Sequence, residues 1–223
     1  IDIVRMIARG DRLEYEGELF QLPPDGFGRS IRSLAPACES IPMYVASLGP
    51  RNLELTGEIA DGWLGNAMMP EAAEAFLGPL RVGCERGGRS LTDLDLVMPV
   101  AVEFTEDVEE ASRRHADGYA FTIGAMGAPG KNFYNRAFAA QGLGDDVAAV
   151  AELWHAGKRE EAAARVPIDI GFKTNLLGPA GTIKERLRLY RSAGITSMQA
   201  KVSGPNRIDI VAQLVDVVNE LNA

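Results

Sequence analysis

Four short apolar runs, each followed by a turn and a helical pattern, constrain this chain more than any other feature. IPMYVAS (Ile41 to Ser47), the strand opening DGWLGNAMMP, LDLVMPVAVEF (Leu94 to Phe104) and TSMQAKVSG (Thr196 to Gly204) show little alternation. Runs of that kind read as strands buried on both faces, as in a parallel sheet covered by helices. The intervening segments carry helix signals. Gly49 is placed to cap a helix over residues 50–60, with Pro50 at its first position, and Pro70 with Glu71 opens another that stops near Gly87 and Gly88. Thr105 is read as the cap of a third, with Glu106 and Asp107 in its first turn. Thr182 and Glu185 form a capping-box pattern for a helix with Ile183, Leu187 and Tyr190 inward and Gly194 at its end. A last helix opens at Pro205 and is expected to bury Ile208, Val211, Leu214, Val215, Val218 and Leu221. Strand and helix in alternation predict an α/β fold with right-handed crossovers. Topology alone leaves a barrel and an open doubly wound sheet both in place.

The remaining segments depart from that rhythm. IDIVRMIARG reads as an amphipathic helix closed by Gly10; without a preceding cap or initiator methionine, it reads as entered in mid-domain. LEYEGELFQLP alternates around Gly17 as a small hairpin, and residues 23–40 form a loop rich in Pro, Gly and Ser. Between the third and fourth strands lie about seventy mostly helical residues, Val108 to Gly178, too many for an ordinary crossover. The whole chain, 1–223, is expected to be one domain carrying that insertion.

Composition removes several function classes. The formal charge of −8 is spread along the chain with no basic block to follow a phosphate backbone, which argues against nucleic acid. No apolar run approaches the roughly 20 residues that span a bilayer. Cys38 and Cys84 form no C-x-x-C pair, so a reducing cytoplasm is expected. There is no G-x-S-x-G elbow, the only histidines, His115 and His155, fall inside expected helices, and no ligand pair has zinc spacing.

The chemistry-bearing candidates are turns. Ala46, Ser47, Leu48 and Gly49 link a strand to a helix whose first N–H groups favour an anion such as phosphate; a tight capped loop explains the same residues. Gly65 and Asn66 follow the next strand at its C-terminal end, the active-site face if the sheet is a barrel. Trp63 is read as core before stacking platform. GYAFTIGAMG (Gly118 to Gly127) is read as a helix packed through its glycines, with a pocket wall or dimer surface as the other reading. Lys173, Lys201 and Arg207 could each pair with a phosphate or carboxylate, or be solvated.

Taken together, IPMYVASLGPRNLELTGEIADGWLGN, the hairpin LEYEGELFQL, the insertion segments HADGYAFTIGAMG, KNFYNRAFAAQG and VAELWHAGKREEAAARVP, and NLLGPAGTIKERLRLYRSAGIT resemble the luciferase-like monooxygenase superfamily. They match the branch that uses the deazaflavin coenzyme F-420 (F420). The resemblance implies a TIM-type (β/α)8 barrel, partial here, usually a homodimer, exchanging a hydride between F420 and a small organic substrate. It places the phosphate-bearing tail of the cofactor at Ala46, Ser47, Leu48 and Gly49, with Gly65 and Asn66 on the same rim. The family's first four strands have no counterpart here. In relatives they carry most ring contacts and the usual catalytic acid or base, so the chain by itself is expected to be inactive and its catalytic residues stay unassigned. An FMN-dependent monooxygenase of the same superfamily, and a non-catalytic shortened barrel that binds a flavin or another subunit, are the alternatives.

Overall fold

The computed structural model describes residues 1–128 and 130–223. Residues 1–44 and 45–223 form two compact units. In the first, α1 (Asp2–Arg9) ends at Gly10, whose φ of 74° is the left-handed conformation that glycine adopts freely at a helix end. The expected hairpin follows as β1 (Tyr15–Glu16) and β2 (Gln21–Leu22), paired antiparallel. Most of residues 23–40 is loop, tied back by an antiparallel bridge between Arg12 and Arg32.

The rest of the chain is built on the predicted parallel strands. They are β3 (Tyr44–Ala46), β4 (Gly62–Leu64), β5 (Asp95–Glu103) and, after the insertion, β6 (Leu176–Leu177) and β7 (Ser197–Lys201). The order is β3-β4-β5-β6, with β7 also on β5, and the sheet stays open. The hydrogen-bond pattern of β5 explains this layout. In a parallel strand the N–H and C=O of one residue point to the same edge, and successive residues alternate edges. Asp95 and Val97 bond toward the β4 segment, and Ala101, Glu103 and Thr105 bond toward residues 175–178. Leu96 exchanges bonds with Thr196 on the other edge. The odd edge is therefore shared by β4 at its start and β6 at its end. Pro99 falls in the interval between them, so a residue with no N–H sits in a central strand without breaking the ladder.

Helices cover one face of the sheet. Leu96, Met98, Val100 and Val102 of β5 are buried, while the odd residues between them are only half-buried. β3 shows the sequence Tyr44 exposed, Val45 half-buried and Ala46 exposed. The expectation of strands buried on both faces holds for Gly62 and Trp63 of β4 and is corrected for β3, β5 and β7, where alternate residues or the strand end stay partly or fully exposed. The core beneath β4 and β5 gathers Leu53, Trp63, Phe76, Leu80, Met98 and Tyr190, each stabilising the fold by roughly 1.5–3 kcal/mol on full burial.

α2 (Pro50–Ile59) and α3 (Glu74–Arg86) follow β3 and β4. A single 3₁₀ turn, Pro70–Ala72, precedes α3 where one continuous helix was expected. The two helices cross through glycines: a Cβ on Gly57 would lie 2.1 Å from Leu80 O, and one on Gly83 1.8 Å from Glu54 O. The insertion is helical as predicted: α4 (Val108–Asp117), α5 (Tyr119–Ala125), α6 (Phe133–Phe138), α7 (Gly144–His155), α8 (Arg159–Arg165) and α9 (Ile168–Lys173) enclose a second core around Ile123, Phe138 and Val150. Two caps differ from expectation. Asp107, not Thr105, caps α4 by accepting from Glu110 N, and Thr105 Oγ1 instead accepts from Asp107 N. α10 (Ala180–Ser192) begins before Thr182, after Pro179, so Thr182 and Glu185 lie inside it and form no capping box.

α11 (Arg207–Asn222) closes the chain, and its buried face is the other main correction. Ile210, Leu214, Val217, Val218 and Leu221 pack on the core, whereas Ile208, Val211 and Val215 are exposed, Ile208 by 80%. The helix carries two apolar stripes, and periodicity cannot tell which of them meets the sheet.

Candidate functional site

Parallel strands deliver their C-terminal ends to one rim, and two depressions occur there. A pocket of about 300 Å³ is bordered by Ala46, Ser47 and Leu48 after β3 and by Leu64, Gly65 and Asn66 after β4, with Pro99, Tyr134, Gln199 and Lys201 completing it. A longer groove of about 570 Å³ continues from Leu48 along Gly49 and the first turn of α2, facing Phe76, Phe133 and Arg136. Five of the six predicted site residues thus border one pocket. Gly49 faces the groove, and Leu48 lines both.

The turn after β3 is fixed from inside. Thr56 Oγ1 gives its hydrogen to Asn52 O at 2.7 Å, so the buried Ser47 hydroxyl donates to Thr56 at 2.9 Å. Ser47 O in turn accepts from Trp63 Nε1 at 2.9 Å. Trp63 is fully buried and packs against Phe76 with ring centroids 5.7 Å apart, which settles its role as core. Gly49 caps α2 with φ −80° and ψ 146°, a conformation open to any residue, and a Cβ there would meet Phe133 only at 3.8 Å. Its contribution is open space toward the groove. No side chain caps α2, and Pro50 brings no N–H, so the amides of Gly49, Arg51 and Asn52 are the donors that helix geometry leaves unpaired at this end.

The second rim segment is held as firmly. A Cβ on Gly65 would fall 2.3 Å from Met98 Cε and 2.7 Å from Trp63 Cη2, so a side chain there would have to displace the Met98 and Trp63 side chains. Its N–H donates to Val97 O at 2.9 Å. Asn66 is exposed at the tip, and Ala67 beyond it has a φ of 51°. Tyr190 Oη donates to Met68 O at 3.0 Å, and the Gln141 carboxamide bonds Ala67 and Met69.

Positive charge gathers along the groove and pocket. Arg51 and Arg136 line the groove, and Lys201 lines the pocket. Among the described residues none of the three forms an ion pair; the Arg136 guanidinium lies over the Phe133 ring, 4.8 Å from its centroid. The other basic candidates lie elsewhere: Lys173 pairs with Asp169 at 2.6 Å, and Arg207 begins α11. Arg186 is buried against Glu71 and donates to Lys173 O, a link between the insertion and the sheet. Burial alone would raise the Glu71 carboxyl, but the hydrogen bond and charge of Arg186 hold it below its ordinary value. His115 contacts Glu103 at 3.2 Å and His155 is exposed at the end of α7, neither of them on the pocket. Gly124 packs flush on Trp154, where a Cβ would lie 2.2 Å from the indole, and Ile123, Gly124 and Gly127 also line a separate depression of about 300 Å³, so segment 118–127 both packs and forms a pocket wall. No group of three or more metal-ligating side chains occurs among the described residues, and no helix there is long and apolar enough to cross a membrane.

The rim therefore offers amide donors, two guanidinium groups and an ammonium, a set of groups able to pair with an anion. Sequence reading missed Arg51, Tyr134, Arg136 and Gln199, because Tyr134 and Arg136 reach the rim from an insertion whose folding back has no local signal.

Comparisons with known proteins identify the family of the fold. Residues 1–197 match the luciferase-like monooxygenase family. A Mycobacterium tuberculosis protein named as a coenzyme F420-dependent oxidoreductase is 28% identical over 96% of this chain and 65% of its own length. The 5,10-methylenetetrahydromethanopterin reductase of Methanopyrus kandleri is 26% identical over 95% of this chain and 59% of its own. Among solved structures, the coenzyme F420-dependent tetrahydromethanopterin reductase from Methanopyrus kandleri superposes with a TM-score of 0.70 at 22% identity, covering 96% of this chain and 59% of that one. An F420-dependent secondary alcohol dehydrogenase in complex with an F420-acetone adduct superposes with a TM-score of 0.66 at 15% identity, over 99% and 59%. The chain thus spans about three-fifths of the length of these relatives, and its open sheet is part of their barrel-type fold. With most of its length matched by one family and its parallel strands superposing on the same architecture, the chain belongs to the luciferase-like monooxygenase family.

Proposed function

We propose that this chain is the cofactor-tail-binding part of an oxidoreductase in which coenzyme F420 and a small organic substrate exchange a hydride. The observation that carries this reading is the adjacency, through the shared residue Leu48, of the pocket at Ala46, Ser47, Gly65 and Asn66 and a groove lined by Gly49 and by the guanidinium groups of Arg51 and Arg136. Related proteins named for F420 dependence support it. The donors fit an anionic tail: a phosphate at the start of α2 meets the free amides of its first turn and the positive end of the helix dipole. Arg51 and Arg136 then neutralise charge on either side, and the Phe133 ring excludes water from one wall.

When bound, the deazaflavin supplies the redox chemistry. This chain's residues bind and orient. Ser47, through Thr56 and Trp63, keeps the turn rigid; Gly49 leaves room for the ligand; Lys201 and Asn66 present polar groups where the tail meets the pocket. A homodimer in the cytoplasm belongs to the same reading, and two unpaired cysteines accord with a reducing compartment.

Titration of F420 fluorescence with the purified chain tests the reading. Micromolar binding is expected, weakened about tenfold or about 1.4 kcal/mol by Gly49→Val, which places two methyl groups in the groove mouth without a backbone clash. Arg51→Ala and Arg136→Ala are each expected to weaken binding several-fold and to flatten its salt dependence. Absence of F420 binding, or unchanged affinity in all three variants, would overturn it. Binding of FMN in preference to F420 would move the protein to the flavin-dependent alternative.

A further inference from the structure

We propose that Gln141 is a positioning residue for the ligand rim: its carboxamide holds the 65–70 loop in the shape that presents Asn66 to the pocket, and so sets cofactor affinity without touching the cofactor. The proposal rests on the binding reading above.

The contacts are specific. Gln141 Oε1 accepts from Met69 N at 2.8 Å, while Nε2 donates to Ala67 O at 3.2 Å and to Ala137 O at 3.2 Å. Both amide hydrogens are used, and the side chain is nearly fully buried. One planar group thereby brackets Met68, whose side chain is fully buried and whose carbonyl accepts from Tyr190. Three successive loop residues are thus held by side chains 72 to 122 positions away in sequence.

The loop needs such a hold. Ala67 is buried with a φ of 51°, a left-handed conformation that an L residue with a Cβ keeps only when its surroundings impose it. Asn66 immediately precedes that residue and lines the pocket. Relaxation of Ala67 to ordinary backbone angles would swing the peptide beside Asn66 and re-aim it. Gln141 can reach the loop because it sits in a wide turn, Ala139–Leu143, between α6 and α7, where Gly142 at a φ of 91° breaks the helical path. α6 and the turn after it also carry Tyr134, Arg136, Ala137 and Ala140 to the two depressions, so the same segment both lines the rim and clamps its other side.

The test compares F420 affinity, by fluorescence titration at a temperature where circular dichroism shows each protein folded, in wild type, Gln141→Met and Gln141→Met/Ala67→Gly. Methionine keeps the volume and removes every bond to the loop. A loss of at least tenfold is expected in the single variant. Recovery to within about threefold is expected in the double variant, because glycine takes the left-handed conformation without help. A purely structural role predicts a lower melting temperature with unchanged affinity in the folded protein. That result overturns the proposal, as does a loss that Ala67→Gly fails to rescue. Should Gln141→Met not fold, Gln141→Asn carries the comparison, since its amide falls one methylene short of the loop; wild-type affinity there is equally fatal. Failure of wild type itself to bind F420 strikes the functional reading, whereas binding by wild type with indifferent Gln141 variants strikes this proposal alone.

Discussion

Replacement of Gly83 by alanine should reverse the usual benefit of removing a glycine from a helix. In an unobstructed helix interior, Gly→Ala stabilises by about 1 kcal/mol. In α3 the new Cβ would lie 1.8 Å from Glu54 O and 2.6 Å from the Glu54 carbonyl carbon, both backbone atoms of α2. Relief of that overlap to van der Waals distance requires the helices to part by about 1.5 Å. Overpacking strain of this kind costs about 1–3 kcal/mol, and a gap of that width forfeits much of the dispersion energy around Leu53, Leu80 and Cys84. After the propensity gain is subtracted, a net loss of about 2–3 kcal/mol is expected. Gly181→Ala is the control: it lies in α10, a Cβ there meets nothing within 4 Å, and a gain of up to about 1 kcal/mol is expected. Urea unfolding with matched m values measures the difference. F420 titration adds a functional readout, because displacement of α2 moves the amides at its start; Gly83→Ala should weaken binding and Gly181→Ala should not. Agreement of the two variants within about 0.5 kcal/mol would show that the crossing is looser than described and would refute the argument.

The Glu71–Arg186 pair should respond asymmetrically to loss of either partner. The Arg186 side chain is 4% exposed and the Glu71 side chain 38%, so Glu71→Gln strands a buried cation at about 3 kcal/mol, while Arg186→Met leaves a carboxylate that can rehydrate and costs about half as much; equal losses in chemical denaturation would refute this. Because the folded-state pKa of Glu71 lies below its ordinary 4.5, the stability it contributes is complete above that value and is lost as pH falls through the lower one; Glu71→Gln should remove that part of the acid dependence. For the thiols, exposed Cys38 should react with Ellman's reagent at once, whereas Cys84, buried and with its pKa raised by burial, should react only on unfolding; two fast thiols would contradict the packing of α3.

The sequence was informative wherever the determinant is local. Pro50 after Gly49 marks the start of α2, Gly10 the end of α1, and Gly17 the hairpin, because caps and turns are written in adjacent residues. The candidate rim was legible for a related reason: once the strands are parallel, the turns following β3 and β4 must emerge on the same side, and Ser47 and Gly65 do border one pocket. What failed is of two kinds, a competing start close by in sequence and packing partners distant in it. Thr182 and Glu185 satisfy the capping pattern, yet α10 starts one turn earlier behind Pro179. Leu214 and Val218 of α11 were placed correctly, but Ile208, Val211 and Val215 belong to a second stripe that no periodicity argument separates from the first. Gln141 left one trace, a polar residue beside a helix-breaking glycine in AFAAQGL, and nothing there names Ala67 or Met69 as its partners.

Those distant contacts divide the labour at the rim. The groups that border the two depressions are ones with few bonds elsewhere: the amides of Gly49, Arg51 and Asn52, the guanidinium groups of Arg51 and Arg136, the ammonium of Lys201. The groups behind them are saturated, as in Ser47 with Thr56 and Trp63, Gln141 with Ala67 and Met69, and Tyr190 with Met68. Saturation holds the unsaturated layer in place before a ligand arrives, which lowers the ordering cost of binding. In the proposed role the amide donors and positive side chains bind and orient an anionic cofactor, which brings its own redox chemistry. The described residues that line the two depressions include several donors, and the side chains that bond behind them, such as Trp63 and Gln141, lie outside the lining, so binding and support fall to different side chains.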